Sequence, residues 1–75
     1  MITYEEALKK AKALKPTADN CIEYDNAYIF GCREDSNYDG TYQPCVILRE
    51  DGRALNMVGY ILKIGVGKKV REFDL

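Results

Sequence analysis

Pro16 divides this chain of 75 residues into two unlike parts, and the division sets the fold class. Before it lies one sustained helical pattern. Thr3-Tyr4-Glu5-Glu6 is a capping box, in which Thr3 accepts from the amide of Glu6 while Glu6 reaches back to Thr3. Tyr4, Ala7, Leu8, Ala11 and Leu14 then recur at steps of three and four, which places them on one stripe of an amphipathic helix. Pro16 stops that helix, because the residue before a proline is disfavoured in α geometry. Thr17-Ala18-Asp19-Asn20 reads as a turn.

After Pro16 the chain consists mainly of short apolar runs closed by turn residues. Cys21-Ile22-Glu23-Tyr24 and Ala27–Cys32 flank Asp25-Asn26, two residues that tolerate positive φ, so a tight hairpin is predicted. On its second strand the bulkier set, Tyr28, Phe30 and Cys32, is expected to meet the helix, leaving Ala27, Ile29 and Gly31 on the far face. Pro44 leads into Cys45-Val46-Ile47-Leu48. The Asp51-Gly52 turn then leads to a short strand, Ala54-Leu55-Asn56. Met57, Val58, Ile61, Leu62 and Ile64 fit a short helical turn capped by Asn56, and Gly65-Val66-Gly67 breaks it. Val70 and Phe73 mark a last strand over 68–74. With no repeats and no linker, residues 1–75 read as a single α+β domain. One N-terminal amphipathic helix packs on a four- to five-stranded, mostly antiparallel sheet. The runner-up is a more open sheet whose far face is buried in a dimer.

Size and charge narrow the function. A chain this short buries a modest core, so a deep enzymatic pocket inside one protomer is not expected. The net charge of −1 gives no signal for nucleic acid. Lys9, Lys10, Lys12 and Lys15 read as a solvated helix face, since no Arg or aromatic partner stands near them. No segment reaches the ~18 apolar residues of a membrane span. The acidic N-terminus is not that of a signal peptide, and a cytoplasmic location is expected. The chain has three cysteines, Cys21, Cys32 and Cys45, no CxxC and no histidine. The cysteines read as buried reduced thiols, with no zinc-site spacing and no base to make a nucleophile. Ser36 stands alone in a polar loop, and Glu23, Glu50 and Glu72 are read as solvated surface. Gly65-Val66-Gly67-Lys68-Lys69 lacks the spacing of a phosphate loop. No catalytic set is visible, and neither catalysis nor a cofactor is expected.

The polar stretch Glu34–Gln43 is the sharpest chemical lead. Asp35, Asn37 and Asp39 hold alternate positions and Gly40 follows, as in the first half of a calcium loop. The pattern then fails, because its twelfth position is Val46 in a predicted strand, where a bidentate Glu belongs. Asp, Asn and Gly also stabilise turns without metal, so calcium is kept as the alternative. Tyr38 and Tyr42 lie in the same stretch. Rings placed there serve either as contact area for a partner or as cover for the sheet edge.

The order of motifs resembles the bacterial immunity protein 35 type family, found beside toxins in polymorphic toxin systems. The likeness rests on Thr3-Tyr4-Glu5-Glu6-Ala7 opening the helix and the aromatic-x-Phe pattern of Tyr28-Ile29-Phe30. It continues through the stretch from Gly40 to Pro44 before an apolar strand and the Asp51-Gly52 turn. That family typically carries a tryptophan and a Gly-Gly pair. This chain has no tryptophan, and Asp39-Gly40 stands where the pair would. The resemblance implies an α+β fold, no catalysis and a protein toxin as partner.

The leading expectation is a non-enzymatic protein-binding domain whose contacts are Asp35, Tyr38, Asp39 and Tyr42, with acidic groups steering a basic toxin. The alternatives are a small-molecule or calcium-binding module using Asp35, Asn37 and Asp39, and a homodimer.

Overall fold

The helical pattern before Pro16 forms α1 (Tyr4–Leu14), and the runs after it form strands β1 (Asn20–Tyr24), β2 (Ala27–Gly31), β3 (Cys45–Leu48), β4 (Ala54–Leu55) and β5 (Lys69–Asp74). These come from a computed structural model that describes residues 1–32 and 44–75. Thr3 caps α1, its hydroxyl accepting from the amide of Glu6 at 3.2 Å. After Leu14 the amide of Lys15 still donates to the Ala11 carbonyl, and Pro16 ends the run.

All strand pairs are antiparallel, in the order β4-β3-β2-β1-β5. The expected α+β architecture is therefore the observed one, with five strands among the described residues. Strands β1 to β4 form a meander, and the chain then crosses from the β4 edge to the β5 edge. The crossing carries α2 (Met57–Gly59), which runs directly into a π-helical turn over Tyr60–Ile64. Asn56 caps it as expected, its Oδ1 accepting from the amide of Gly59 at 2.6 Å.

The alternation along the strands builds two cores. On one face α1 sets Ala7 and Ala11, both fully buried, against Cys21, Tyr28, Phe30 and Ile47. Alanine at the contact lets the helix axis approach the sheet. The first turn of the helix supplies bulk instead: the Tyr4 ring lies 5.7 Å from Tyr28, 6.3 Å from Phe30 and 5.4 Å from Phe73. Such aromatic pairs each contribute about 0.5–1.5 kcal/mol beyond their area. Leu14 departs from the expected stripe. It is 63% exposed, because it falls in the last turn before Pro16, beyond the buried pair Ala7 and Ala11.

On the far face Ala27, Ile29, Val46 and Leu48 are closed over by the fully buried ring of Tyr60, with Ile22, Tyr24, Leu55 and Met57 around it. The far face is thus covered from within the chain, which replaces the runner-up arrangement of an open sheet.

Two readings change in their physical cause. The Asp25-Asn26 turn does join β1 to β2, but neither residue has positive φ. Both are instead fastened to the segment before β5. Asp25 exchanges hydrogen bonds with Lys68, its amide donating to the Lys68 carbonyl at 2.9 Å and its Oδ1 accepting from the Lys68 amide at 3.1 Å. Asn26 Oδ1 accepts from the Tyr60 hydroxyl at 2.6 Å, and its Nδ2 donates to the Gly65 carbonyl at 3.0 Å. Gly67 fits this clamp because a Cβ there would run into Asp25 Oδ1 and stand 2.7 Å from Asn26 Oδ1. The lysines of α1 are likewise more than a solvated face. Lys10 Nζ donates to the Gly52 carbonyl at 2.8 Å, and Lys12 Nζ to the Ala18 carbonyl at 2.7 Å.

Candidate functional site

The residues singled out in the polar stretch, Asp35, Asn37, Tyr38, Asp39 and Tyr42, lie outside the described residues.

The most conspicuous charged group is Glu23, expected on the surface and found buried at 8% exposure. Its place follows from the hairpin register. Glu23 stands opposite Tyr28, so it shares the α1 face. The opposing register on its other side sets it against Arg71. Arg71 Nε donates to Glu23 Oε1 at 2.6 Å, and Arg49 Nη1 donates to Oε2 at 3.0 Å and to the Tyr24 carbonyl at 3.2 Å. Each guanidinium also lies over a ring, Arg49 at 5.1 Å from the Tyr28 centroid and Arg71 at 4.7 Å from that of Phe73. Both carboxylate oxygens already accept strong charge-assisted bonds, so Glu23 is not poised as a general base. The triad ties β1, β5 and the turn after β3 together. The alternation was the available signal: a carboxylate two residues from Cys21, opposite an aromatic, has to find cations.

Cys21 and Cys32 are buried as expected, whereas Cys45 is only partly buried. Burial, with the Glu23 carboxylate adding to it, pushes the Cys21 thiol from its ordinary 9.0 up to about 12. Burial raises Cys45 as well. Neither thiol is activated as a nucleophile. A consequence for stability follows. Above pH 9 an unfolded Cys21 releases its proton while the folded one retains it, so stability present below about pH 9 is lost as pH rises toward 12. The loss approaches ~1.4 kcal/mol per pH unit for such a thiol, and Tyr4, also raised by burial, acts in the same direction. Thermal melts should show the midpoint falling above about pH 9, and Cys21→Ala, although less stable, should show a flatter decline.

Among the described residues no group of three or more His, Cys, Asp or Glu side chains is placed to hold a metal ion, and no helix is long and apolar enough to cross a membrane. A surface cleft of about 270 Å³ opens between Met1, Asp25, Leu48, Glu50, Arg53 and Ile64. Asp25 is already engaged with Lys68 there, and the cleft is smaller than the ~300–1,000 Å³ usual for small-molecule sites.

The remaining feature is the outer side of the crossing helix. Tyr60 and Met57 turn inward, and so Val58, Ile61 and Leu62, at three- and four-residue steps, turn outward. They are 64%, 48% and 78% exposed, and Val66 just beyond the helix is 51% exposed. A single charge, Lys63, stands in the eleven residues from Met57 to Gly67. The sequence placed Met57, Val58, Ile61, Leu62 and Ile64 on one short helical turn without assigning its faces, and the outward side follows only once Tyr60 fills the sheet face.

No protein-family model matches this chain, and no curated protein or solved structure matches it.

Proposed function

We propose that this chain is a non-enzymatic protein-binding domain whose contact surface is the apolar ridge of Val58, Ile61 and Leu62. The observation that carries the reading is the exposure of that ridge beside a fully buried Tyr60. Tyr60 and its clamp hold the helix in place, so the ridge is presented on a fixed element rather than a loose one. Apolar side chains on a small domain with few other demands on its surface are what protein interfaces place at their centre. Against catalysis stand the doubly engaged Glu23 and the raised thiols of Cys21 and Cys45.

The finer reading is a toxin-neutralising immunity protein of the bacterial cytoplasm. Its support is the motif resemblance, from Thr3-Tyr4 through the Asp51-Gly52 turn. Binding to the products of neighbouring genes, followed by calorimetry, tests both levels. Leu62→Asp should weaken the complex at least tenfold, about 1.4 kcal/mol, while the circular dichroism spectrum stays that of the wild type. A neighbour-encoded toxin bound equally well by Leu62→Asp would remove the ridge from the account and leave the immunity reading standing.

A further inference from the structure

We infer that the ridge of Val58, Ile61, Leu62 and Val66 is covered by the same ridge of a second copy of this chain, in a two-fold dimer; the inference rests on the reading of the ridge as a contact surface and names its occupant. Area is the first argument. The exposed fractions of the four residues correspond to roughly 450 Å² of open, mainly apolar surface. A standard interface buries about 800 Å² per partner, and a homodimer interface is about 65% apolar. One such interface therefore needs some ~500 Å² of apolar surface from each side, which the ridge nearly supplies by itself.

Charge is the second argument. In a two-fold interface each patch meets its own copy, so every charge near the axis faces a like charge. The segment from Met57 to Gly67 avoids this, with Lys63 as its one ionisable head group besides the buried Tyr60. A partner recognised by opposite charge would call for acidic or basic groups among the contacts, and the ridge has none.

A second self-docking route, edge to edge through the β5 edge of the sheet, is opposed by its own sequence. Across a two-fold axis an antiparallel strand pairs residues that share a face. In the regular part of β5 (Lys69–Asp74), a register centred on Arg71 sets that arginine against itself. One centred on Glu72 pairs two glutamates, and one centred on Phe73 sets Glu72 against Asp74. Like charges directly opposite destabilise a sheet pair.

The test is sedimentation velocity and light scattering on the full chain from micromolar to millimolar concentration. The wild type is expected to show twice the chain mass at the upper end. Leu62→Asp and Val58→Asp should each raise the dimer dissociation constant about thirty-fold or more, with melting temperatures close to the wild type, since both side chains are largely exposed. Leu14→Asp, on the equally exposed end of α1, should leave the dimer intact. A wild type that is monomeric at millimolar concentration overturns the dimer; if a heterologous partner is then lost on Leu62→Asp, the ridge remains a contact surface. A dimer indifferent to both ridge substitutions overturns the inference and the placement of the surface together.

Discussion

Tyr60→Ala is expected to remove about 3–5 kcal/mol of stability, the range for deleting a large buried aromatic. A domain of this size has only about 4–11 kcal/mol in total, so the variant should lose a large share of its stability and melt at a markedly lower temperature. The effect is large because one side chain has two functions. Its ring closes the far-face core over Ala27, Ile29, Val46 and Leu48. Its hydroxyl donates to Asn26 Oδ1 at 2.6 Å and accepts from the Gly67 amide at 3.1 Å, joining the β1–β2 turn to the segment that enters β5. Tyr60→Phe separates the two. It keeps the ring and leaves the Asn26 oxygen and the Gly67 amide without this partner, at a cost of about 1–3 kcal/mol. Urea denaturation measures both variants. A cost below about 1 kcal/mol for Tyr60→Ala would mean that the helix is not what seals the far face.

Glu23→Ala is the second large effect, at about 2–3 kcal/mol. Removing one partner from a fully buried ion pair costs roughly 3–5 kcal/mol, because the other charge is left desolvated. The lower figure applies here because Arg71 is more than half exposed and recovers water once released. Arg49 does not: its side chain is only 21% exposed, and its Nε is buried with no partner. The cost should therefore fall mainly on Arg49, which a double substitution can reveal. Glu23→Leu with Arg49→Leu removes both buried charges and should be more stable than Glu23→Ala. A double variant no more stable than Glu23→Ala would assign the loss to packing rather than to a stranded guanidinium.

Much of this architecture was legible in the residues, for physical reasons that can be named. Thr3, Glu6 and Pro16 act within one turn of themselves, so the ends of α1 could be read directly. The face of β2 that carries Tyr28 and Phe30 follows from side-chain alternation alone, and Asn56 was recognisable as a cap. The elements that were not legible depend on partners distant in sequence. Asp25 and Asn26 look like turn residues chosen for positive φ, yet they serve as anchors for Lys68, Gly65 and Tyr60, some forty residues away. Glu23 is placed by Arg49 and Arg71, and nothing within its own strand announces either. Leu14 fits the helical stripe and yet has no sheet beneath it. The outward ridge emerges only once Tyr60 is known to fill the far face, since the apolar residues of Met57–Ile64 do not by themselves say which of them turn inward. The acidic, tyrosine-bearing stretch that drew the first functional expectation lies outside the described residues.

The claim that the crossing helix pairs with the same helix of a second copy is tested most directly by amide chemical shifts of the intact chain on dilution from millimolar to micromolar concentration. The shifts of Val58, Ile61, Leu62 and Val66 are expected to move together along one binding curve, while those of α1 stay fixed. Shifts that hold constant throughout the helix, or that move in α1 or along β5 instead, would contradict it.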